Sequence, residues 1–141
     1  MANGVVYVGS DDRNVYALNA STGGLLWMYH TGGSVESSPA VANGVVYVGS
    51  DDNNVYALNA STGTLLWSYP THNSVLSSPA VANEVVYVGS VDRNVYALNA
   101  STGALLWSYP TQGYVNSSPT VANGMVYVGS DDGNVYAFGL K

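Results

Sequence analysis

Apolar residues arrive in short runs of four to six, divided by polar turns. Val45–Ser50 reads Val-Val-Tyr-Val-Gly-Ser, and Asn54–Asn59 reads Asn-Val-Tyr-Ala-Leu-Asn. Leu65–Tyr69 reads Leu-Leu-Trp-Ser-Tyr, and Ser37–Ala42 reads Ser-Ser-Pro-Ala-Val-Ala. Val, Tyr, Trp and Leu in runs of this length predict strands. The runs do not alternate cleanly between apolar and polar. Val45, Val46, Tyr47 and Val48 follow one another, the pattern of a sheet covered on both faces. The intervening segments are too short for helices and carry turn chemistry. Asn43-Gly44 is the hairpin signal of a type I′ turn, which needs two residues at positive φ. Asp51–Asn53 and Ala60–Gly63 are polar turns, the second ending on a glycine suited to the left-handed region. Pro39, Pro79 and Pro119 stand near the start of the Ser-Ser-Pro run. Proline donates no hydrogen bond, so that strand belongs at a sheet edge.

The pattern repeats every forty residues: Val41–Ala80 and Val81–Thr120 differ at nine of forty positions. In chain order the four strands of one period are A (Ser37–Ala42), B (Val45–Ser50), C (Asn54–Asn59) and D (Leu65–Tyr69). Periods of this size mark solenoids and propellers. Four-stranded sheets stacked face to face around an axis bury both faces, whereas a two-sheet sandwich leaves one face of each sheet wet. The prediction is an all-β chain, a β-propeller of four blade-equivalents within a single repeat domain, 1–141. Residues 1–30 form a blade lacking strand A, 31–70 and 71–110 full blades, and 111–141 a blade lacking strand D.

Ala17, Asn19, Thr22, Gly23 and Trp27 form the spacing Ala-x-Asn-x-x-Thr-Gly-x-x-x-Trp, which returns at Ala57–Trp67 and Ala97–Trp107. Across the whole chain this resembles the tryptophan-docking repeat of the pyrroloquinoline-quinone-type, quinoprotein-like propellers. That family usually carries Asp where this chain has Asn19, Asn59 and Asn99. The resemblance implies that each Trp packs against the neighbouring blade, beside the Gly and Ala of the next motif. The blade-docking set is then Ala17, Thr22, Gly23, Trp27, Ala57, Thr62, Gly63, Trp67, Ala97, Thr102, Gly103 and Trp107. The family commonly closes with eight blades. An open half-ring exposes an apolar sheet face at each end, which invites association, so the expected partner is a second copy in a homodimer closing one eight-bladed ring. The alternative passes the strand at Leu25–His30 to the partner's last blade.

Charge and candidate chemistry narrow the function. The 141 residues carry a formal net charge of −6, with Arg13, Arg93 and Lys141 the only Lys or Arg. That argues against nucleic acid and anionic membranes as partners. Charged residues are only 9% of the chain, so Ser, Thr, Asn and Gly must make the surface. The absence of cysteine removes disulfides and thiolate chemistry. No leader or long apolar run is visible, and the compartment is open. The family resemblance suggests an extracytoplasmic one, periplasmic or at the cell surface.

Quinone-using members of the family place calcium, an arginine and the quinone in the central channel, and many use a vicinal disulfide. This chain offers two arginines and carboxylates confined to turns, so no cofactor and no catalytic residue is expected. His30 and His72 occupy equivalent loops but lack a third ligand. Asn19, Asn59, Asn99 and Asn116 match the glycosylation pattern through repeat position alone. Seven of the nine acids, Asp11, Asp12, Asp51, Asp52, Asp92, Asp131 and Asp132, fall in equivalent B-to-C turns. They are the candidates for a cation or for a basic partner, with ordinary turn chemistry as the plainer explanation. The D-to-A loops His30–Glu36, Pro70–Leu76 and Pro110–Asn116 differ most between repeats, as binding loops on a rigid scaffold do. The function expected is a non-enzymatic scaffold or protein-interaction module, or a purely structural set of near-identical blades. A cation-binding acidic rim and a quinoprotein dehydrogenase fragment are the alternatives.

Overall fold

The computed structural model describes residues 1–140. Fourteen strands form four antiparallel sheets in chain order. The first holds β1 (Val5–Gly9), β2 (Asn14–Asn19) and β3 (Leu25–His30). The second holds β4 (Ala40–Ala42), β5 (Val45–Gly49), β6 (Asn54–Asn59) and β7 (Leu65–Pro70). The third repeats it with β8 (Ala80–Ala82), β9 (Val85–Gly89), β10 (Asn94–Asn99) and β11 (Leu105–Pro110). The last holds β12 (Thr120–Ala122), β13 (Met125–Gly129) and β14 (Val135–Gly139). Each strand pairs only with its chain neighbours, so every sheet is a meander, and the four sheets are propeller blades.

The hairpins follow the turn chemistry. Asn43 and Gly44 sit at φ 50° and 75°, the two positive angles of a type I′ turn. Glu84 takes the glycine's place in the third blade and is held at φ 63°, a left-handed conformation that costs a side chain about 1 kcal/mol. In the first blade Ala2 bridges to Val5 across Asn3-Gly4, a one-residue counterpart of strand A.

Strand A is half the predicted length. Pairing begins at Ala40 rather than Ser37. Pro39 has no N–H for a ladder, and Ser37 turns its hydroxyl inward to accept the Gly49 N–H at 3.0 Å. Ser77 and Ser117 receive Gly89 and Gly129 in the same way. A side chain thus replaces the ladder where proline breaks it. Strand B ends at Gly49, because the Ser50 N–H closes the next turn onto Asn54 O. Strand D runs one residue further than predicted, to Pro70 opposite Asn54.

The core lies between the sheets, not within one. Val15, Ala17 and Trp27 of the first blade pack against Val46, Val48, Tyr56 and Leu58 of the second. Tyr47, Val55, Ala57 and Trp67 pack in turn against Val86, Val88, Tyr96 and Leu98. The first three blades thus have a forward face of Tyr, Val, Ala and Trp and a backward face of Val, Val, Tyr and Leu; the last lacks the Trp and carries Phe138 in place of the Leu. The end blades leave one face bare. On the backward face of the first blade Val6 and Val8 are 36% and 41% exposed, whereas Val46 and Val48 are fully buried. On the forward face of the last, Tyr127 and Val135 are 39% and 76% exposed, whereas Tyr47 and Val55 are buried.

Candidate functional site

Two regions concentrate polar detail on this apolar frame: the contact of each indole with the next blade, and the rim of loops. The Trp27 side chain leaves β3 opposite Ala17 and reaches the C-to-D turn of the second blade. Its Nε1 donates to Ala60 O at 2.9 Å, and the Tyr7 hydroxyl donates to the same carbonyl at 3.0 Å. Trp67 and Tyr47 converge on Ala100 O at 2.9 and 3.1 Å. The indole lies flat against glycine. A methyl group built on Gly63 meets Trp27 Cε3 at 2.6 Å, and one on Gly103 meets the Trp67 ring at the same distance. Gly63 and Gly103 both have φ of 75°. Only glycine offers that angle cheaply and leaves room for the ring.

The other motif residues divide between two tasks. Ala57 and Ala97 stay on their own blade, in register with Trp67 and Trp107, so the alanine met by the incoming indole is Ala60 or Ala100. That corrects the expectation that the motif's leading alanine receives it. Nothing in the pattern marks Ala60, since it contributes a backbone carbonyl and any side chain would carry one. Thr22, Thr62 and Thr102 serve the turn itself: each hydroxyl accepts the N–H two residues on, at 3.1, 3.3 and 3.2 Å. Asn59 Oδ1 accepts from Ser61 N and Thr62 N, a task Asp would perform equally well.

At the rim, the two aspartates of each pair play different parts. Asp52 accepts from Gly32 N at 2.8 Å, Asn54 N at 3.0 Å and the Tyr56 hydroxyl at 2.5 Å. Asp92 does the same with His72 N, Asn94 N and Tyr96, and Asp132 with Gln112 N, Asn134 N and Tyr136. Asp12 accepts from Asn14 N and Tyr16. Each second aspartate beyond the first blade therefore ties the incoming D-to-A loop to its own B-to-C turn and strand C. Burial works to raise the Asp52 and Asp92 carboxyls. The hydrogen bonds from Tyr56 and Tyr96, from loop N–H groups and from Asn54 and Asn94 outweigh it and hold both below the ordinary range. Burial and the facing carboxylate push the Tyr56 and Tyr96 hydroxyls up.

Asp51 is the opposite case. Its Oδ1 is buried without a hydrogen-bond partner. Burial first, then the negative charges of Asp11 and Asp52, push its carboxyl up. In the third blade Val91 fills this position, and its N–H makes the same bond to the loop, at 2.9 Å to Ser74 O. Among the described residues no three His, Cys, Asp or Glu converge as metal ligands do. His30 Nδ1 is 3.0 Å from Asn14 Oδ1, while His72 uses its backbone N–H on Asp92. Sequence reasoning missed the buried Ser50 and Ser90, whose hydroxyls knot the loop carbonyls of Gly33 and Ser34, and of Asn73 and Ser74. Their recurrence after Val-Gly was the available signal. A shallow hollow of about 290 Å³ lies at the rim among Arg93, Gln112, Gly113, Tyr114 and Asp131.

Comparison with known proteins agrees with this architecture. A crystal structure of BamB from Moraxella catarrhalis superposes with a TM-score of 0.86 at 24% identity, over 97% of this chain and 43% of that one. The computationally designed Ika4 protein superposes at 0.89 and 22% identity, over 100% of this chain and 88% of its own. A quinohemoprotein alcohol dehydrogenase from Pseudomonas putida HK5 superposes at 0.79 and 24% identity, over 92% of this chain and 27% of that one. The chain thus spans less than half of the BamB chain it resembles, and at these identities the likeness is one of fold. No curated protein sequence matches. The family model described as outer membrane protein assembly factor BamB matches residues 1–82 and again 71–141. With that match over its whole length, the chain belongs to this BamB-like family of quinoprotein-type propeller repeats.

Proposed function

We propose that the chain is a non-enzymatic propeller scaffold, two copies of which close head to tail into one eight-bladed ring. The observation that carries this is the chemistry of the two bare faces. Val6, Val8, Tyr16 and Leu18 are the backward-face residues that Val46, Val48, Tyr56 and Leu58 present inside the arc. Tyr127, Val135 and Ala137 are the forward-face residues Tyr47, Val55 and Ala57 present to the third blade. Apart from the indole, which the last blade lacks, each bare face therefore matches a surface buried elsewhere within the chain. Closed rotational symmetry satisfies both faces at once. In this reading Trp27 and Trp67 are staples between blades, with Gly63 and Gly103 as their seats, and the blades divide at residues 30, 70 and 110.

Membership of a family named for an outer membrane protein assembly factor supports a protein as the further partner and an extracytoplasmic setting. The unlike D-to-A loops on the rim are the surface for it. The Asp52, Asp92 and Asp132 carboxylates are taken up in loop anchoring, which favours this reading over a cation site. Light scattering coupled to size exclusion tests the ring: a single two-chain mass is expected, and a monodisperse one-chain species refutes it. Titration with pyrroloquinoline quinone and Ca²⁺ is expected to give no absorbance band of a bound quinone, and such a band overturns the non-enzymatic reading.

A further inference from the structure

At each junction between blades, a D-to-A loop lies against the B-to-C turns of the two blades it joins. Position by position, the first junction offers Arg13, Ser34 and Asp51, the second Asn53, Ser74 and Val91, and the third Arg93, Tyr114 and Asp131. The loop position separates the third from the others. Ser34 and Ser74 turn their hydroxyls onto Asp11 O and Asp51 O, at 3.3 and 3.4 Å. Tyr114, with a ring between its backbone and its hydroxyl, cannot do this and stands 48% exposed. It walls the hollow of about 290 Å³ whose other sides are Arg93, Gln112, Gly113 and Asp131.

The floor of this hollow is fixed before any ligand arrives. Gly113 O accepts from the Thr111 and Ser130 hydroxyls at 2.8 and 3.2 Å, and Tyr114 O from Asp131 N at 2.9 Å. Val115 N reaches back to Ser90 O of the third blade at 3.1 Å. A methyl group built on Gly113 meets Asp132 N at 2.5 Å, so the loop lies directly on the turn. Arg93 is held in the left-handed region at φ 78°, where Asn53 and Gly133 stand in the second and fourth blades. Asn and Gly adopt that angle more cheaply than Arg, and strained side chains gather where they are used.

We propose that this hollow binds a free amino acid with an aromatic side chain, its carboxylate on Arg93, its ammonium on Asp131 and its ring on Tyr114. The planar guanidinium matches a carboxylate, and aromatic pairs add to the area they bury. A simple anion meets the like charge of Asp131 and a simple cation that of Arg93, so a zwitterion is favoured over both. The size suits a small ligand. The site lies between two blades of one chain and stands whether or not a ring closes.

Nitrogen-15 NMR of the full chain, titrated with L-phenylalanine, tests this. Saturable shifts are expected at the Gln112, Gly113 and Tyr114 amides, with a Kd of about 2 mM for a ligand of about twelve non-hydrogen atoms. No saturation, or equal shifts at the equivalent Gly33 and Asn73 amides, overturns the proposal. Phenylalanine amide lacks the carboxylate and N-acetylphenylalanine lacks the ammonium; each should bind about tenfold more weakly. Undiminished binding of the acetylated compound makes the site a reader of peptide C-termini, and of the amide a reader of N-termini; either result overturns the zwitterion. Three substitutions copy residues the repeat already uses: Arg93→Asn as at Asn53, Asp131→Val as at Val91, and Tyr114→Ser as at Ser34 and Ser74. Each should keep the melting temperature of the parent and weaken L-phenylalanine about tenfold. Unchanged affinity in any one of them overturns the proposal.

Discussion

The seat of the indole can be weighed with a control that the molecule already contains. Gly23 and Gly63 occupy the same turn at φ 72° and 75°, and only Gly63 has a ring against it. Gly23→Ala therefore changes the backbone alone. A non-glycine residue in the left-handed region costs about 1–2 kcal/mol. Gly63→Ala carries the same cost and adds a methyl group 2.6 Å from Trp27 Cε3 and 2.7 Å from Cδ2. A rigid ring cannot yield like a flexible chain, so the indole must leave its place. It then loses the bond to Ala60 O, worth about 1 kcal/mol, and packing on the scale of an overfilled core, about 1–3 kcal/mol. Gly63→Ala should thus destabilise by about 3–6 kcal/mol and Gly23→Ala by about 1–2 kcal/mol. Urea unfolding followed by far-ultraviolet circular dichroism gives both numbers, and tryptophan emission reports the indole separately. Equal losses for the two variants refute the stapling role of the indole.

Trp67→Ala should cost about 3–5 kcal/mol in the same assay, because the ring is largely buried and bonded to Ala100 O; an unchanged melting temperature rejects an inter-blade role. Asp52→Asn should destabilise by about 1 kcal/mol at neutral pH, since a half-exposed carboxylate with several donors loses its charge-assisted bonds. The Asp52 carboxyl is held low in the folded chain, so its contribution is present above the unfolded value, about pH 4, and is lost as pH falls through the folded one. The gap between parent and variant should close across that window, and a gap that persists at lower pH contradicts the assignment. Asp51→Val, the choice made in the third blade, should stabilise by less than about 1 kcal/mol at neutral pH. That gain should shrink as pH falls, because protonation of a carboxyl held high relieves the same repulsion; a loss of stability at neutral pH refutes it. Glu84→Gly should add about 0.5–1 kcal/mol by releasing the left-handed strain at φ 63°, checked by the urea midpoint.

Much of this architecture is legible in the chain because repetition multiplies weak signals. One Asn-Gly is a hint of a hairpin; three of them, at Asn3, Asn43 and Asn123 in the same register of the forty-residue repeat, specify where strands A and B meet. The absence of alternation in Val45–Val48 announces two covered faces, and the inner blades bury both. What escaped was carried by groups without sequence identity. Ala60 acts through its carbonyl, so no residue type points to it. The shortness of strand A follows from Ser37, whose hydroxyl competes with the ladder in a way that strand propensity does not register. The rim acids look equivalent in the sequence as Asp-Asp pairs. Only three dimensions separate Asp52, surrounded by donors, from Asp51, which faces two like charges.

The serines of the Ser-Ser-Pro segments give the arc a direction. Ser38 N donates to Ser78 Oγ at 2.8 Å, and Ser78 N to Ser118 Oγ at 3.0 Å, each link running from one blade to the next in the same sense. Together with unlike forward and backward faces, this makes the blade stack a polar object, like a row of bricks with pegs on one side and holes on the other. Two such arcs cannot meet peg to peg. Arcs joined through these two faces would therefore keep the sense of the chain, with a symmetry axis along the axis the blades circle. The angle between blades is then the quantity that decides the product. At the closing angle the arcs form a finite ring; a few degrees away from it, the same contacts spiral past their starting point and propagate as a one-way filament.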